Sequence, residues 1–258
     1  MKIITTSNMS SFCKITALLL FIVLINNGCQ QKVSQNSDEQ LSAIVDSENG
    51  TISIFRSGSG EPVLVQNARP DFRPYLHPIQ APDGKGEVTE YSPGHHTHQT
   101  GLYWGFTRVN GQETKLDTLM EYFHEPQTVK QKEIKGRDYF HNPGSDYWKR
   151  MSFSVTDSVG DQVSWQTVYH MLGEDGNPIM EETQNWSMKE QEGQFLLELE
   201  WNGKAIEEIT IGEMKYGGLF LRMPWRERIK GEVVNFARQK NERAEGQQAL
   251  WVDAGRRS

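Results

Sequence analysis

The sequence predicts an all-β protein built as a large antiparallel β-sandwich. From Leu41 onward, short apolar or alternating runs are separated by turn signals, and no long stripe with a helical period interrupts them. Segment 195–201 alternates between apolar and acidic residues, as a strand with one buried face requires. A chain of 258 residues suits one large all-β domain or two small ones.

The turn signals set the order of the predicted strands. Turns rich in Gly, Asn and Asp are expected at 57–60, 81–86, 110–111, 157–161, 173–177 and 202–203. Strands are predicted at 51–56, 62–66, 72–78, 87–91, 102–109, 148–156, 162–171, 178–189, 195–201, 205–211, 217–223 and 249–253. Strands joined by such short turns pair as antiparallel neighbours, so the pattern favours a long meander over an α/β design.

The N-terminal segment is expected to be a signal peptide of the lipoprotein type, covering residues 1–28. A polar stretch with two lysines precedes the apolar run 15–25, which is too short to span a bilayer. The Gly28-Cys29 junction resembles a lipobox, although Asn26 stands where an aliphatic residue is usual. We expect lipidation of Cys29 and a periplasmic or cell-surface location, anchored to the membrane. The alternatives are plain secretion and an uncleaved anchor in which Cys29 has no role.

The segment 29–42 is predicted to be a polar tether, followed by the β-sandwich domain at 43–258. Cys13 lies within the predicted signal peptide, so Cys29 would be the one cysteine left and no internal disulfide could form. Residues 1–28 carry two lysines and no acid, so the net charge of −7 becomes −9 without them. Such an acidic chain argues against nucleic acid as a partner.

A histidine-rich stretch at 73–105 is the strongest candidate for a chemical site. It contains His77, His95, His96 and His98, four of the seven histidines in the chain. In an extended chain, His96 and His98 would project from one face of the strand. With His77 they could provide the three ligands of a catalytic divalent metal such as zinc. The stretch could also be a tight structural turn without chemistry.

The same histidines could instead act as acid and base on a sugar, because imidazole titrates near neutral pH. His96 and His98 would then transfer protons, His77 would assist, and Glu90 is a weaker candidate base. The residues expected to orient such a substrate are Arg73, Tyr75, His95 and Trp104, the last by stacking on a pyranose ring.

A second cluster, at 215–223, places Lys215 and Arg222 on either side of a Gly pair. Glycines allow close backbone approach to a ligand, and an Arg fork can bind a carboxylate or neighbouring hydroxyls. We therefore include Lys215 and Arg222 as candidate substrate-binding residues. The alternative is a bulge in a core strand.

Several motifs occur together in an order that resembles the PmoA-like family of bacterial secreted proteins, common in polysaccharide-degrading Bacteroidetes. They are segments 73–78, 94–102, 109–111, 216–222 and 249–253. The resemblance runs from about residue 50 to the end and implies a large β-sandwich of the sugar-mutarotase (supersandwich) type. Its relatives continue past residue 258 with an Asp-His-Pro strand, which implies that the domain is incomplete at its C-terminus. An oxygenase activity is not expected.

The resulting expectation is an exported, carbohydrate-associated protein, acting as an enzyme on sugars or glycosides through the histidine stretch. Two alternatives stay open at this point. One is a non-catalytic glycan-binding or scaffold lipoprotein, and the other is a metal-dependent enzyme.

Overall fold

A computed structural model describes residues 40–94, 96–113, 133–141, 144–224, 226 and 230–257. The predicted signal peptide, the lipidation site at Cys29, His95 and all of the predicted tether before Gln40 lie outside the described residues. Among the described residues, no helix has the length and apolar character needed to cross a membrane.

The regular elements of the described chain are β-strands, a short helical turn at 133–135 and one 3-10 helix at Asn241–Arg243. The strands are β1 (Leu41–Asp46), β2 (Thr51–Arg56), β3 (Leu64–Asn67), β4 (Tyr75–Ile79), β5 (Leu102–Gly105), β6 (Trp148–Asp157), β7 (Val159–Gly160), β8 (Gln162–Leu172), β9 (Pro178–Gln191), β10 (Gln194–Ala205), β11 (Gly218–Leu221), β12 (Lys230–Asn235) and β13 (Val252–Arg257).

These strands form two large antiparallel sheets and one hairpin. The first sheet has seven strands in the order β11-β5-β4-β3-β2-β1-β7, and the second has four in the order β10-β9-β8-β6. Strands β12 and β13 pair with each other. Strands β1 to β5 pair in the order of the sequence. Strand β4 pairs with β5, although the predicted strand 87–91 lies between them in the sequence. The prediction of an all-β sandwich is confirmed.

The main core lies between the two large sheets. Fully buried apolar side chains of β1 to β4 pack against Val163, Trp165, Trp186 and Met188 of the second sheet. The rings of Trp165 and Trp186 stack with centroids 6.3 Å apart, and Trp165 Nε1 donates a hydrogen bond to Gln66 Oε1 at 3.0 Å. This contact joins the sheets through a satisfied polar pair as well as through apolar burial.

The opposite face of the first sheet carries a second, aromatic cluster. Because side chains alternate along a strand, Leu76 and Leu102 face the main core, whereas Tyr75 and Tyr103 face away from it. Phe140, from the loop after residue 133, packs on Tyr75 and Tyr103. This outer face holds the candidate functional site.

The structure differs from the prediction in four places. Strand β1 starts at Leu41, which is fully buried and pairs with Arg56, so the predicted tether ends before residue 41. The predicted strands 87–91 and 205–211 are reduced to isolated bridges. The predicted turn at Asn202-Gly203 is absent, because β10 continues in register with β9 as far as Ala205.

Gly203 explains why an Asn-Gly pair occurs inside a strand. A Cβ at this position would overlap the ring of Trp201, which folds back over the backbone of its own strand. The glycine therefore makes room for an aromatic side chain and does not reverse the chain direction.

Candidate functional site

The backbone of the histidine stretch is a series of tight turns. The main-chain N–H of His96 donates to the carbonyl of Pro93 at 3.0 Å, and that of Gln99 donates to the carbonyl of His96 at 3.0 Å. Ser92 and Gly94 take positive φ values of 44° and 56°. The expectation of an extended strand with His96 and His98 on one face is therefore wrong, because residues 92–99 reverse direction between the paired Tyr91 and Thr100.

The turns nevertheless bring His96 and His98 together with a third histidine. The rings of His96 and His98 lie edge to face with centroids 6.0 Å apart. The ring of His98 lies 4.6 Å from that of His141, measured between centroids. We call His96, His98 and His141, with Asp138, the histidine cluster.

Asp138 holds His141 in place. Its Oδ2 lies 2.7 Å from His141 Nδ1, and its Oδ1 accepts hydrogen bonds from the main-chain N–H groups of Phe140 and His141 at 3.1 and 2.9 Å. The carboxylate therefore fixes both the turn and the imidazole. A carboxylate in this position makes Nδ1 the donor and fixes the orientation of the ring.

The pKa of His98 is lowered to about 4, mainly by burial and then by the nearby His141, Arg73 and His96. Asp138 opposes this shift without reversing it. His98 is therefore a neutral imidazole at pH 7, able to accept a hydrogen bond from a ligand hydroxyl.

Arg73 joins the two loops that carry the histidines. Its guanidinium donates hydrogen bonds to the main-chain carbonyls of His98 and Phe140, and it lies 3.5 Å from the ring centroid of Tyr103. The side chain is completely buried. A direct contact between Arg73 and substrate, as predicted, does not fit this burial. Arg73 instead positions the cluster by holding the main-chain carbonyls of His98 and Phe140.

Arg222 is brought to the same loop through Gln99. Its Nη1 donates to Gln99 Oε1 at 3.1 Å, and its Nε donates to Glu90 Oε2 at 3.2 Å. Arg226 Nη1 donates to the other oxygen of Glu90 at 2.9 Å. Burial would raise the pKa of the Glu90 carboxyl, but the hydrogen bonds from Arg226 and Arg222 outweigh it and hold that pKa below its usual range. Both oxygens are engaged, so Glu90 is poorly suited to act as the predicted base.

His77 and Tyr75 lie on β4, and both contact Tyr91. His77 Nδ1 lies 2.9 Å from Thr89 Oγ1, and its ring lies 5.5 Å from that of Tyr91. Tyr75 also packs on Tyr91, with centroids 5.8 Å apart. Burial lowers the pKa of His77. The ring of Tyr91 therefore packs on the side chains of both residues.

The predicted metal triad of His77, His96 and His98 is not assembled. Within the part of the chain that the structure describes, no group of three or more His, Cys, Asp or Glu side chains is placed to hold a metal ion. The reason is that His77 is turned toward Thr89 and Tyr91, whereas His98 is turned toward His141.

Trp104 and Lys215 are the two predicted site residues placed elsewhere. Trp104 lies on the opposite face of β5 from Tyr103 and stacks on Trp201 with centroids 5.3 Å apart. Lys215 is exposed, and its Nζ pairs with Glu245 at 3.2 Å. Lys215 Nζ also lies 5.8 Å from the ring centroid of Tyr216, whose ring lies 6.0 Å from that of His141. The substrate roles of Trp104 and Lys215 stay predictions.

His141, Asp138 and Gln99 are the site residues that sequence reasoning missed. His98 and His141 are separated by 43 positions, and no local pattern connects them. The available signal was the Asp-Tyr-Phe-His spacing, because an aspartate three residues before a histidine can cap a turn and bind the imidazole.

The chain belongs to a family of unknown function, DUF6807, whose model matches residues 60–258. This match includes every residue of the histidine cluster, together with Arg73, Glu90 and Arg222. Comparison with curated proteins gave no match, and comparison with solved structures gave none either. The resemblance to PmoA-like proteins and the supersandwich architecture stay predictions.

Proposed function

We propose that the protein acts on a carbohydrate or another polyhydroxylated small molecule by proton transfer at the histidine cluster. The observation that carries this proposal is the 4.6 Å contact between the rings of His98 and His141, one kept neutral and the other fixed by Asp138.

The two imidazoles differ in what they can do for a hydroxyl group. His98 is neutral and offers a lone pair to a hydroxyl proton. His141 has Nδ1 engaged with Asp138, which holds the ring in one orientation beside His98. Such a pair can accept a proton from one atom of a substrate and return it at another, the requirement for general acid–base catalysis.

The test is turnover on a panel of mono- and oligosaccharides by the purified full chain, followed by NMR of the products. His98→Ala and His141→Ala should each reduce turnover by about 10²-fold or more, the usual range for a lost proton-transfer group. The matched control is His170→Ala, because His170 also faces a carboxylate, that of Glu181 at 3.4 Å, but lies on β8.

Each result has a distinct meaning. If the protein binds sugars without turning them over, and His98→Ala abolishes that binding, the protein is a glycan-binding protein and not an enzyme. Turnover that survives both cluster variants would remove the histidines from the mechanism. No binding and no turnover across the panel would overturn the proposal.

We also propose that the protein is exported and anchored to a membrane through a lipid on Cys29, on the strength of the N-terminal sequence. Cells grown with labelled palmitate should label the processed chain that begins at Cys29, and Cys29→Ser should abolish the label and release the protein to the soluble fraction. Labelling that persists in Cys29→Ser would contradict this assignment.

A further inference from the structure

We propose that the histidine cluster takes an oligosaccharide, with sugar rings stacked on Tyr216 and Tyr91 at either side of the proton-transfer residues. This proposal rests on the proposed function and adds the size class of the substrate. Both tyrosines are exposed, Tyr216 by 39% and Tyr91 by 46%, whereas the rings of the aromatic cluster between them are buried or half-buried.

Tyr216 borders the histidine cluster directly. The centroid of its ring lies 6.0 Å from that of His141, and the two rings are nearly perpendicular, at 87°. The main-chain carbonyl of Tyr216 accepts a hydrogen bond from Thr107 Oγ1 at 2.7 Å, which ties this position to the chain that follows β5. A sugar with a hydroxyl group at His141 therefore has the ring of Tyr216 as its neighbour.

Tyr91 provides the second exposed ring. It packs on Tyr75 with centroids 5.8 Å apart and on His77 with centroids 5.5 Å apart, so two rings of β4 hold its orientation. Tyr91 also forms a β-bridge with Thr100, and this pair closes the turn 92–99 that carries the first two histidines of the cluster. A ring whose orientation is already fixed loses little entropy when a ligand stacks on it.

Buried aromatic side chains connect the second exposed ring to the cluster. Tyr75 packs with Tyr103 and Phe140. The ring of Phe140 lies 6.5 Å from that of His98 and 5.1 Å from that of His141, measured between centroids. The histidine cluster and the tyrosine that supports the second exposed ring therefore share one packed surface.

The strand order places the two exposed rings over different sides of β5. Tyr91 packs on β4, whereas Tyr216 lies just before β11, and β5 runs between these two strands in the sheet. Neighbouring strands are about 4.8 Å apart, so β4 and β11 are separated by about 10 Å. A single sugar ring cannot stack on both tyrosines, and a ligand that does so consists of several sugar units.

The chemistry of tyrosine suits this role, because its ring has a flat apolar face and its hydroxyl group can form hydrogen bonds. A pyranose likewise combines an apolar face of C–H groups with a rim of hydroxyl groups. Each stacked sugar should therefore raise the affinity roughly tenfold, as for nucleic-acid bases that stack on aromatic side chains.

The test compares sugars of the same composition and different length: glucose with cellotetraose, xylose with xylotetraose, and mannose with mannotetraose. Isothermal titration of the full chain should give roughly 100-fold tighter binding of the tetrasaccharide than of the monosaccharide in at least one series, because two rings contribute. Tyr91→Ala and Tyr216→Ala should each weaken binding of that tetrasaccharide roughly tenfold, and Tyr91→Phe should preserve it because the ring is retained.

The matched control is Trp251→Ala. Trp251 is also 46% exposed, but it lies next to β13, outside the sheet that carries the site. Its loss should leave the affinity for the tetrasaccharide within about twofold of the parent.

The outcomes separate this inference from the proposed function. Equal affinity for the monosaccharide and the tetrasaccharide in every series that binds would overturn the inference and leave the proposed function standing. A length dependence that survives both alanine substitutions would also overturn it, as would an equal loss of affinity in Trp251→Ala. Failure of every sugar to bind would overturn both proposals.

Discussion

At the scale of single residues, Glu182 on β9 is an unusual buried side chain. It is almost completely buried, and its two oxygens accept hydrogen bonds from Gln184 Nε2 and Trp201 Nε1, each at 2.8 Å. None of the described residues forms a salt bridge with it. Burial raises the pKa of Glu182 to about 7, and the two hydrogen bonds offset only part of this shift. The folded protein therefore holds a carboxyl group that is partly protonated at neutral pH.

This predicts how Glu182→Gln changes stability. Because the folded pKa lies above the ordinary value of 4.5, the folded state binds more protons between pH 4.5 and about 7, and stability falls as pH rises through this window. The amide has no such dependence. The unfolding free energy of Glu182→Gln should exceed that of the parent by up to about 3 kcal/mol at pH 8 and should differ little from it at pH 4.5. Urea unfolding at both pH values checks this, with exposed Glu198→Gln as the control.

His98 gives a second prediction at the scale of single residues, because its pKa is lowered whereas that of Glu182 is raised. Its ring resonances should titrate with a midpoint near pH 4 in the folded protein, because burial and the neighbouring cations disfavour its charged form. A proton NMR titration of the folded chain measures this directly. A midpoint between pH 6 and 7 would mean that the ring is solvated and would weaken its assignment as a neutral hydrogen-bond acceptor.

At the scale of elements, Arg73 ties the loop 92–100 to the loop 138–141. Arg73→Met keeps the apolar volume but leaves the carbonyls of His98 and Phe140 without their donors. A loss of about 2–5 kcal/mol in unfolding free energy is expected from two unsatisfied buried groups. Hydrogen exchange should rise in both loops more than in β8 and β9.

The matched control for that experiment is Arg69→Met. Arg69 also lies over an aromatic ring, that of Phe72, but its side chain is half exposed. Its loss should change stability by no more than about 1 kcal/mol, as for other surface ion pairs. Equal effects of the two variants would show that Arg73 does not join the loops.

Gly203 supports a prediction for strand β10. Gly203→Ala should push the ring of Trp201 off the strand, with a cost of about 1–3 kcal/mol for overpacking. Since Trp201 also stacks on Trp104, the tryptophan fluorescence should change as well. Gly60→Ala is the control, because a Cβ there meets no atom within 4 Å. An unchanged fluorescence spectrum in Gly203→Ala would contradict the proposed packing.

The sequence predicted strands well where burial alternates and poorly where loops pack on the sheet. The alternation in 195–201 and the turn at 157–161 correspond to β10 and to the β6–β8 pair, because period-two burial is a local property. The histidine loop depends on positive φ angles at Ser92 and Gly94 and on Arg73, which is distant in sequence. The partnership of His98 with His141 depends entirely on tertiary packing. Local pattern alone does not encode these contacts.

At the scale of the whole molecule, the titrations of His98 and Glu182 oppose each other. His98 stays neutral in the fold, so the unfolded chain takes up its proton first on acidification and stability falls as pH drops from 6.5 toward 4. Glu182 has the reverse effect between about pH 7 and 4.5. The contributions of these two groups to stability should therefore partly cancel where the two windows overlap.

Single substitutions of His98 and Glu182 should change the pH dependence of stability in opposite directions. On acidification from pH 6.5 to 4.5, His98→Asn should gain stability relative to the parent and Glu182→Gln should lose it, because each leaves the other group unopposed. Melting temperatures of the parent, the two variants and the double variant across this range test the assignment. Parallel curves for all four proteins would contradict it.

The site is assembled from positions that are far apart along the chain. Arg73 reaches over 25 residues to His98 and over 67 to Phe140, and Arg222 reaches back over 132 residues to Glu90. The second sheet, in contrast, joins strands that neighbour one another in sequence, and such local hairpins can survive in partly folded chains. Circular dichroism would report those hairpins whether or not the site has formed. A molecule can bind ligand only when all of these distant segments have come together. The molar amount of ligand bound at saturation therefore measures the native fraction of a preparation.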